Sequence, residues 1–459
     1  CLLHHLFNSA LFTTEKQPLC QLSLILPHEQ LLIDAMKNND NHRPSSTDQI
    51  ISQLFYEKAS NYSQKVAVDL DEQFLTYSEL LVYAQHLAVV LIDTHGVKVG
   101  DIVCQCVERS LSMVIGIMAI ETVGAVYCPL SPQDPLHRLH ALVEQTHSRL
   151  VLVHASTREI FDGHHALLDI DQALNMNSEV SDNDRDRLSH VAVSGDNIGY
   201  VIFTSGSTGT PKAVQVRQRN FVEAIRSLVE VGTFSENDTV AQIVRCSFDI
   251  HVEDIIGTLI VGATLVMLRP EGPMDFEYLS RVLVDHHITY IHAVPTLLTA
   301  FFIYLQQNHK TCAASSLRSV CCIGEPFPLK LLDVLKNSVD STCRIWNLYG
   351  PAETTLVATY HVIALTSEMR NIPIGRLLPG YQYVIVDEFS QPVTLNQEGE
   401  LLVGGVGVFA GYLGREDLTK KALVDIDGQV FYRTGDLVRL DNDGLLYYVG
   451  RKDHQIKLR

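Results

Sequence analysis

The sequence predicts an α/β protein built from two parallel-sheet α/β lobes and a small β-subdomain. Two stretches alternate apolar, β-rich runs with helical patterns, one beginning near residue 51 and the other running from about Tyr200 to Tyr360. Such alternation is typical of parallel sheets covered by helices on both faces. After Asn371 the pattern changes to short strands separated by Gly, Asp and Asn turns, which predicts the β-subdomain.

The first 48 residues differ in character from the rest of the chain. A polar stretch from Lys37 to Gln49 is rich in Asn, Asp, Ser and Pro, as is typical of a linker. We therefore expect a domain boundary near residue 48. The chain begins without Met and stops at Arg459, and we expect it to be part of something longer.

Hydrophobic periodicity places the elements of the first α/β stretch after this linker. Helical spacing of apolar residues alternates there with short β-branched runs. The expected elements are a helix at Ile51–Ser60, a strand at Val66–Asp69, a helix at Ser78–His95, a strand at Ile102–Val107 and a helix at Ser110–Thr122.

Composition argues against several classes of protein. The net charge of −18 argues against a nucleic-acid partner, because binding of a duplex requires concentrated Lys and Arg. No apolar run reaches the roughly 18 residues that a membrane-spanning helix needs, so we expect no membrane partner. The ten cysteines include no Cys-x-x-Cys pair, which favours reduced thiols and a cytoplasmic location.

A loop rich in Ser, Thr and Gly opens the second α/β stretch. The apolar run from Tyr200 to Phe203 leads into Thr204–Thr210, and Pro211 and Lys212 come next. Glycines let backbone N–H groups approach a polyphosphate, hydroxyl groups donate hydrogen bonds, and a lysine offsets charge. The segment is not a Walker A loop, because Pro211 rather than Gly precedes the lysine. It is predicted to bind nucleotide phosphates.

Two later segments contain residues suited to the rest of a nucleotide. In Asn347–Thr355, Tyr349 offers an aromatic face and Glu353 a hard oxygen ligand for magnesium. In Tyr432–Leu437, Asp436 follows a glycine and is suited to accept hydrogen bonds from ribose hydroxyls. A segment of either kind, taken alone, is more often a solvated surface turn. The prediction of a nucleotide site therefore depends on their occurrence together with the phosphate loop.

These motifs together resemble the adenylate-forming superfamily, and in particular a peptide-synthetase adenylation domain. Further blocks occur in the same order along the chain, so that the resemblance covers about residues 18–459. Residues 18–30 resemble the tail that leaves a condensation domain. The resemblance divides the chain into a condensation-domain tail and linker (1–48), the large N-terminal portion of an adenylation domain (49–450) and the start of a hinge (451–459). The further blocks are Leu75–Leu80, Gly124–Leu130, Gly399–Leu401, Gly411–Leu413 and Tyr447–Arg459.

The resemblance implies an enzyme that activates an α-amino acid with ATP and Mg²⁺, releases pyrophosphate and forms an aminoacyl-adenylate. It also implies a condensation domain and a carrier domain with phosphopantetheine as partners in the same polypeptide. A small C-terminal subdomain with a catalytic lysine, absent from this sequence, would belong to the intact protein.

The resemblance also assigns roles to residues of the nucleotide site. Catalytic roles fall to Thr204, Lys212 and Glu353, of which Glu353 would bind the metal. Gly324, Asn347 and Tyr349 would frame adenine, and Asp453 matches the hinge position. The nucleotide-binding set is Thr204, Ser205, Gly206, Ser207, Thr208, Lys212, Gly324, Asn347, Tyr349, Asp436, Tyr448 and Arg451.

Asp249 is the residue that separates activation of amino acids from activation of acyl acids. It matches the family's aspartate that accepts the substrate's α-ammonium, a charge-assisted bond that a fatty acid cannot form. Glu253 and His292 are the polar members of the implied side-chain pocket. They favour a basic or strongly polar substrate, ornithine or lysine first, unless the two side chains simply pair with each other and leave room for an apolar or amide substrate. The implied pocket is Asp249, Ile250, Glu253, His292, Cys321, Ile323, Leu348, Leu356 and Val357.

Two other functions fit parts of the sequence. An acyl or aryl acid:CoA ligase would share the nucleotide motifs, but Asp249 argues against it. A non-enzymatic nucleotide-binding remnant would not need Lys212, Glu353 and Asp436, all of which are present.

Overall fold

The computed structural model describes residues 49–161, 163, 166–175, 180–205, 210–366 and 371–452. The strands in chain order are β1 (Val66–Leu70), β2 (Gln73–Thr76), β3 (Ile102–Cys106), β4 (Val126–Pro129), β5 (Leu150–Val153), β6 (Leu167–Asp169), β7 (Ile198–Thr204), β8 (Lys212–Arg217), β9 (Thr239–Gln242), β10 (Thr264–Met267), β11 (Tyr290–Ala293), β12 (Ser319–Cys322), β13 (Arg344–Tyr349), β14 (Thr359–Ile363), β15 (Arg376–Leu377), β16 (Tyr381–Val386), β17 (Glu398–Gly405), β18 (Gly411–Tyr412), β19 (Leu423–Ile426), β20 (Gln429–Leu440) and β21 (Leu446–Arg451).

Helices connect most of the parallel strands. The α-helices are α1 (Ile51–Asn61), α2 (Tyr77–Asp93), α3 (Leu111–Val123), α4 (Leu136–Thr146), α5 (Ala155–Arg158), α6 (Ile170–Leu174), α7 (Asp182–Ser189), α8 (Gln218–Val231), α9 (Ile250–Val252), α10 (Thr258–Val261), α11 (Phe276–Asp285), α12 (Pro295–Gln307), α13 (Leu329–Lys336) and α14 (Glu416–Ala422). A π-helical turn, Glu253–Gly257, joins α9 to α10, and 3₁₀ turns lie at Gly272–Met274, Thr311–Ala314 and Ala352–Thr354.

Capping residues explain where the first long helices begin and end. Thr76 and Glu79 form a reciprocal capping box at the start of α2. The Ser110 side chain accepts a hydrogen bond from the Met113 amide at the start of α3. Gly124, with φ +71°, ends α3 in the left-handed conformation that glycine adopts without strain. The predicted helices therefore agree with the structure to within two residues at each end.

A nine-stranded sheet forms one lobe, in the order β15-β14-β13-β12-β11-β9-β10-β1-β2. Its interior pairs from β13 to β1 are parallel, and antiparallel pairs complete both edges. The boundary predicted at Tyr200 is wrong for this lobe, because β1 and β2 join the sheet from the N-terminal stretch. Neighbours in a parallel sheet are set by how the connecting helices pack, so chain order alone does not reveal them.

A seven-stranded sheet forms the second lobe, in the order β18-β8-β7-β4-β3-β5-β6. The antiparallel hairpin of β7 and β8 extends its parallel core, and β18 pairs with β8 from far along the chain. A third, antiparallel sheet contains β16, β17, β20 and β19, with β21 paired to β20. The predicted fold class, two parallel-sheet lobes and a small β-subdomain, is confirmed.

One hydrophobic cluster links the three sheets. It includes Val103 from the seven-stranded sheet, Val240 from the nine-stranded sheet and Leu401 from the β-subdomain, all fully buried. The carboxyl ends of β9, β11, β12 and β13 lie side by side in the nine-stranded sheet. Loops at such an edge are where α/β proteins hold ligands. None of the helices in the described ranges is long and apolar enough to cross a membrane.

Candidate active site

The β7–β8 hairpin holds the two ends of the predicted phosphate loop together. Thr204 and Lys212 are paired opposite each other at the ends of the two strands. Thr204 and Lys212 are half-buried and Ser205 is exposed. Gly206, Ser207 and Thr208 lie outside the described residues. The hairpin therefore places a hydroxyl group and an ammonium group on either side of the loop.

Tyr412, which the sequence analysis did not single out as a site residue, contacts both Lys212 and Glu353. The Lys212 ammonium lies 5.2 Å from the centroid of the Tyr412 ring. The Tyr412 hydroxyl donates a 2.7 Å hydrogen bond to Glu353 Oε1. Burial, together with the neighbouring Glu353 carboxylate, raises the pKa of Tyr412. Tyr412 stays a donor at neutral pH and orients the carboxylate that is predicted to bind the metal.

A tight turn after β13 sets the position of Glu353. A Cβ atom on Gly350 would lie 2.4 Å from the backbone oxygen of Leu356, so only glycine fits there. Thr355 and Leu356 have φ angles of 56° and 65°, which are uncommon for residues with side chains. Strained backbone of this kind is often found at functional sites. The turn leaves the Glu353 side chain only 6% exposed, at the carboxyl edge of the nine-stranded sheet.

The residues predicted to bind the ribose, Asp436 and Tyr448, lie in the β-subdomain, and Asp436 belongs to a second polar group. Asp436 Oδ2 accepts a 2.5 Å hydrogen bond from the Tyr349 hydroxyl, and Asp436 Oδ1 lies 2.9 Å from Arg451 Nη1. Burial, and then the Asp436 carboxylate, raises the pKa of Tyr349 well above its usual value. Tyr448 is half-buried on β21, where its partner on β20 is Val438. Asp453, the predicted hinge residue, lies outside the described residues.

The residues predicted to frame adenine lie at the ends of β12 and β13. Gly324 has φ +87° and follows β12 by two residues. The Asn347 side-chain amide donates a 2.8 Å hydrogen bond to the Pro373 carbonyl, which fixes its orientation. Glu325, which follows Gly324, accepts hydrogen bonds from Thr296 at the start of α12. Glu325 is thereby tied to this helix end.

Asp249 lies immediately before α9, whose first residue, Ile250, is one of the predicted pocket residues. It is half-buried, and the neighbouring Phe248 is 57% exposed. Burial, and then the Asp249 carboxylate, raises the pKa of the buried Tyr200 hydroxyl well above its usual value. Asp249 therefore lies near enough to interact electrostatically with Tyr200 on β7.

The apolar residues predicted to line the pocket belong to one hydrophobic cluster. Each is at most 7% exposed, and together they come from α9, β12, β13 and the turns after these strands. This set is Ile250, Cys321, Ile323, Leu348, Leu356 and Val357.

Glu253 and His292 form a buried pair within this apolar wall. Glu253 Oε1 accepts hydrogen bonds from His292 Nδ1 at 3.1 Å and from the Tyr290 hydroxyl at 2.8 Å. The pairing that the sequence left as an alternative is therefore present. Tyr290 and Tyr200 were missed, because nothing in the sequence shows which strand residues face a given helix. The pairing of β11 with β12 brings Tyr290 and Cys321 to the same region.

Comparison with known proteins identifies the family to which this chain belongs. The AMP-binding enzyme family matches residues 55–413. Tyrocidine synthase 3 of Brevibacillus parabrevis is 32% identical over 425 residues, which cover 92% of this chain and 6% of that protein. Bacitracin synthase 2 of Bacillus licheniformis is 32% identical over 430 residues, which cover 93% of this chain and 16% of that protein. The chain thus spans a small part of the length of such relatives.

Solved structures share the fold. The nonribosomal peptide synthetase FmoA3 matches with a TM-score of 0.88 at 23% identity, over 97% of this chain and 47% of that chain. The Klebsiella oxytoca NpsA N-terminal subdomain, in complex with 3-hydroxybenzoyl-AMSN, matches with a TM-score of 0.79 at 25% identity, over 89% of this chain and 100% of that chain. The chain belongs to the AMP-binding enzyme family, and its relatives include peptide synthetases.

Proposed function

We propose that this chain is the large portion of an adenylation domain that activates an α-amino acid as its aminoacyl-adenylate. ATP supplies the adenylyl group and pyrophosphate is released. The domain would act within a peptide synthetase, like the relatives that it resembles.

One observation carries this proposal: two polar groups suited to opposite ends of a nucleotide flank a single short turn. Glu353, Tyr412 and Lys212 form the first group, suited to phosphates and a metal. Tyr349, Asp436 and Arg451 form the second, suited to the adenine and the ribose. Tyr349 and Glu353 are only four residues apart in the chain, so both groups would be within reach of one bound nucleotide. Two such groups would hold bound ATP in a single orientation.

The proposed reaction is an in-line displacement at the α-phosphorus. A carboxylate oxygen of the amino acid forms a bond to phosphorus, and the bond to the pyrophosphate oxygen breaks with its electron pair leaving on pyrophosphate. The attacking carboxylate is already ionised at neutral pH, so no general base is needed. Thr204 and Lys212 would hold the phosphates, and Asp249 would hold the substrate's α-ammonium in place.

Glu353 fits a magnesium ion that also binds phosphate oxygens and water. Mg²⁺ usually takes only one or two protein carboxylates in nucleotide sites, and Glu353 is a hard oxygen donor already oriented by Tyr412. When bound, the ion would offset the phosphate charge. We propose Glu353 as its protein ligand in this site.

The remaining assignments belong to the same proposal. Residues 1–48 would be a condensation-domain tail and linker, 49–450 the adenylation domain and 451–459 the start of a hinge. A carrier domain with phosphopantetheine would receive the aminoacyl group, and a condensation domain would use it. All eight cysteines in the described ranges are free thiols, which supports a cytoplasmic location.

Amino-acid-dependent exchange of pyrophosphate into ATP tests the proposed function. The protein to use is this chain extended through the C-terminal subdomain that the family resemblance implies, which we call the extended protein. We expect exchange with at least one α-amino acid and none with fatty or aryl acids. Exchange with acyl acids alone would favour an acid:CoA ligase, and tight ATP binding without any exchange would favour a non-enzymatic remnant.

A further inference from the structure

Arg109 connects the two lobes. It lies between β3 and α3 of the seven-stranded lobe and is half-buried. Its Nε donates a 2.7 Å hydrogen bond to Gln242 Oε1, at the end of β9 in the nine-stranded lobe. Its Nη2 donates to the carbonyls of Ile243 at 2.8 Å and Val244 at 3.1 Å, and its Nη1 donates to the Pro270 carbonyl at 3.2 Å. The planar guanidinium thereby holds the chain that leaves β9 against the other lobe.

Gln242 extends this contact to a buried histidine. Because a guanidinium only donates, the Gln242 oxygen faces Arg109, and Gln242 Nε2 faces His251 Nδ1 at 3.4 Å. His251 Nδ1 therefore accepts, and the neutral ring donates through Nε2 to the Tyr127 hydroxyl on β4, 3.2 Å away. Burial lowers the pKa of His251 to about 3, so the ring is neutral at neutral pH. We call Arg109, Gln242, His251 and Tyr127 the interlobe clasp.

The interlobe clasp closes a loop that contains Asp249. Gln242 ends β9 and His251 lies on α9, so the contact between their side chains joins the two ends of this loop. Both of these residues are at most 1% exposed. Inside the loop, the Phe248 amide donates to the Arg245 carbonyl and the His251 amide donates to the Phe248 carbonyl, both at 3.1 Å. A loop with buried, hydrogen-bonded ends leaves Asp249 few alternative positions.

We propose that the interlobe clasp positions Asp249 relative to the phosphate loop, and that Arg109 is a positioning residue for the amino-acid substrate. This inference rests on the proposed function, in which Asp249 holds the substrate's α-ammonium and the β7–β8 hairpin holds the phosphates. Asp249 and the hairpin belong to different lobes, and the substrate carboxylate has to meet the α-phosphate between them. Arg109 and Tyr127 come from the same lobe as the hairpin, so they tie the ammonium anchor to the phosphate-binding side. A misplacement of about 1 Å at such a site can cost about 100-fold in rate.

Exchange kinetics of the extended protein test the inference. The probe is the α-amino acid that the wild type exchanges fastest in a screen of the twenty protein amino acids and ornithine. Arg109→Gln removes the charge and most of the donors. We expect it to raise KM for this amino acid at least about tenfold and to change kcat by less, while ATP affinity measured by calorimetry stays within about threefold. Arg109→Lys keeps the charge but cannot reach all four acceptors, so its KM should fall between those of Arg109→Gln and the wild type.

Arg318→Gln is the matched control. Arg318 also donates to two backbone carbonyls, those of Gly232 and Thr233, and it pairs with Asp238. It precedes β12 and Asp238 precedes β9, so this contact lies at the opposite edge of the nine-stranded sheet from Asp249. We expect Arg318→Gln to lower the thermal unfolding midpoint and to leave KM for the amino acid within about twofold of the wild type.

Other outcomes overturn the inference. An unchanged KM in Arg109→Gln, or an equal rise of KM in Arg318→Gln, would assign Arg109 a structural role only. An equal loss of ATP affinity in Arg109→Gln would show that the clasp does not act through Asp249. Wild-type exchange with no amino acid at all would contradict the proposed function as well.

Tyr127→Phe decides the matter if Arg109→Gln fails to fold. It removes one hydroxyl group and leaves the buried His251 Nε2–H without its acceptor. We expect KM for the amino acid to rise about threefold with ATP affinity unchanged. A wild-type KM in Tyr127→Phe would then contradict the inference.

Discussion

At the residue scale, Glu353, the proposed magnesium ligand, is held in position by its neighbours. Its turn is fixed by Gly350, its side chain is buried, and its Oε1 atom is held by the Tyr412 hydroxyl. The sequence placed Glu353 in the site through its motif. It did not reveal Tyr412 as a partner, because 59 residues separate the two and only the pairing of β18 with β8 brings them together.

Replacing Glu353 with Gln should lower the exchange rate of the extended protein by about 100-fold or more, the scale of one lost electrostatic contact in a transition state. The amide still accepts the Tyr412 hydrogen bond, so the thermal unfolding midpoint should stay within a few degrees. Tyr412→Phe is the matched variant. It keeps the ring beside Lys212 and should lose only about tenfold. Unchanged exchange in Glu353→Gln would remove this carboxylate from the mechanism.

We propose that the charge of Asp249 sets the class of substrate. Asp249→Ala should raise KM for the amino acid at least about 30-fold, because the substrate ammonium would lose a partly desolvated partner. ATP binding, measured by calorimetry, should change less than threefold, since Asp249 lies outside the two nucleotide groups. Retained exchange at normal KM would indicate another anchor for the amino group.

At the scale of elements, the sequence predicts long helices and buried strands well, and strand order poorly. Capping residues and apolar periodicity are local signals, so α1, α2 and α3 agree closely with expectation. Sheet neighbours depend on packing between distant segments, so the placement of β1 beside β10 was missed. Tyr290 was missed for the same reason, because its contact with Glu253 requires β11 to pack against the π-helical turn.

One buried glutamate joins three helices and should make stability depend on pH. Glu121 on α3 accepts a hydrogen bond from Gln218 at the start of α8, and Gln218 accepts one from the Ile51 amide at the start of α1. Burial raises the pKa of Glu121 from 4.5 to about 8. Between these values the folded state holds a proton that the unfolded chain has released. Stability therefore falls as pH rises through this window and levels off above about pH 8.

The titration of Glu121 alone should lower the free energy of unfolding by about 2 kcal/mol between pH 6 and pH 9. Glu121→Gln mimics the protonated acid and should reduce that fall. Urea unfolding of both proteins at the two pH values measures the difference. An identical pH dependence in the two proteins would show that Glu121 does not titrate as described.

At the scale of the whole molecule, the residues proposed to bind the nucleotide and the substrate come from both lobes and from the β-subdomain. The phosphate hairpin comes from the seven-stranded sheet, Glu353 and the pocket from the nine-stranded sheet, and Asp436 from the β-subdomain. Motifs predicted most of these residues, because each is local in sequence. The polar environment inside the pocket could not be predicted, because it depends on which buried atoms remain unsatisfied after folding.

The family resemblance implies a lysine on a C-terminal subdomain that reaches the reacting carboxylate and α-phosphate. This 459-residue chain should therefore bind ATP and amino acid but adenylate slowly. The extended protein should be faster by about two orders of magnitude or more, as expected for a contact of roughly 3 kcal/mol. Equal single-turnover rates for the two proteins would show that the lysine is not needed.

The most direct test of the central claim is chemical trapping of the product. Hydroxylamine converts an aminoacyl-adenylate into the corresponding hydroxamate, which mass spectrometry identifies. The extended protein, given ATP, Mg²⁺ and a mixture of α-amino acids, should yield an amino-acid hydroxamate together with AMP and pyrophosphate. Omission of ATP should abolish it, and the Asp249→Ala change should sharply reduce it when the amino acids are below their KM. Formation of acyl hydroxamates alone, or ATP turnover to ADP with no hydroxamate, would contradict the assignment of this site to amino-acid adenylation.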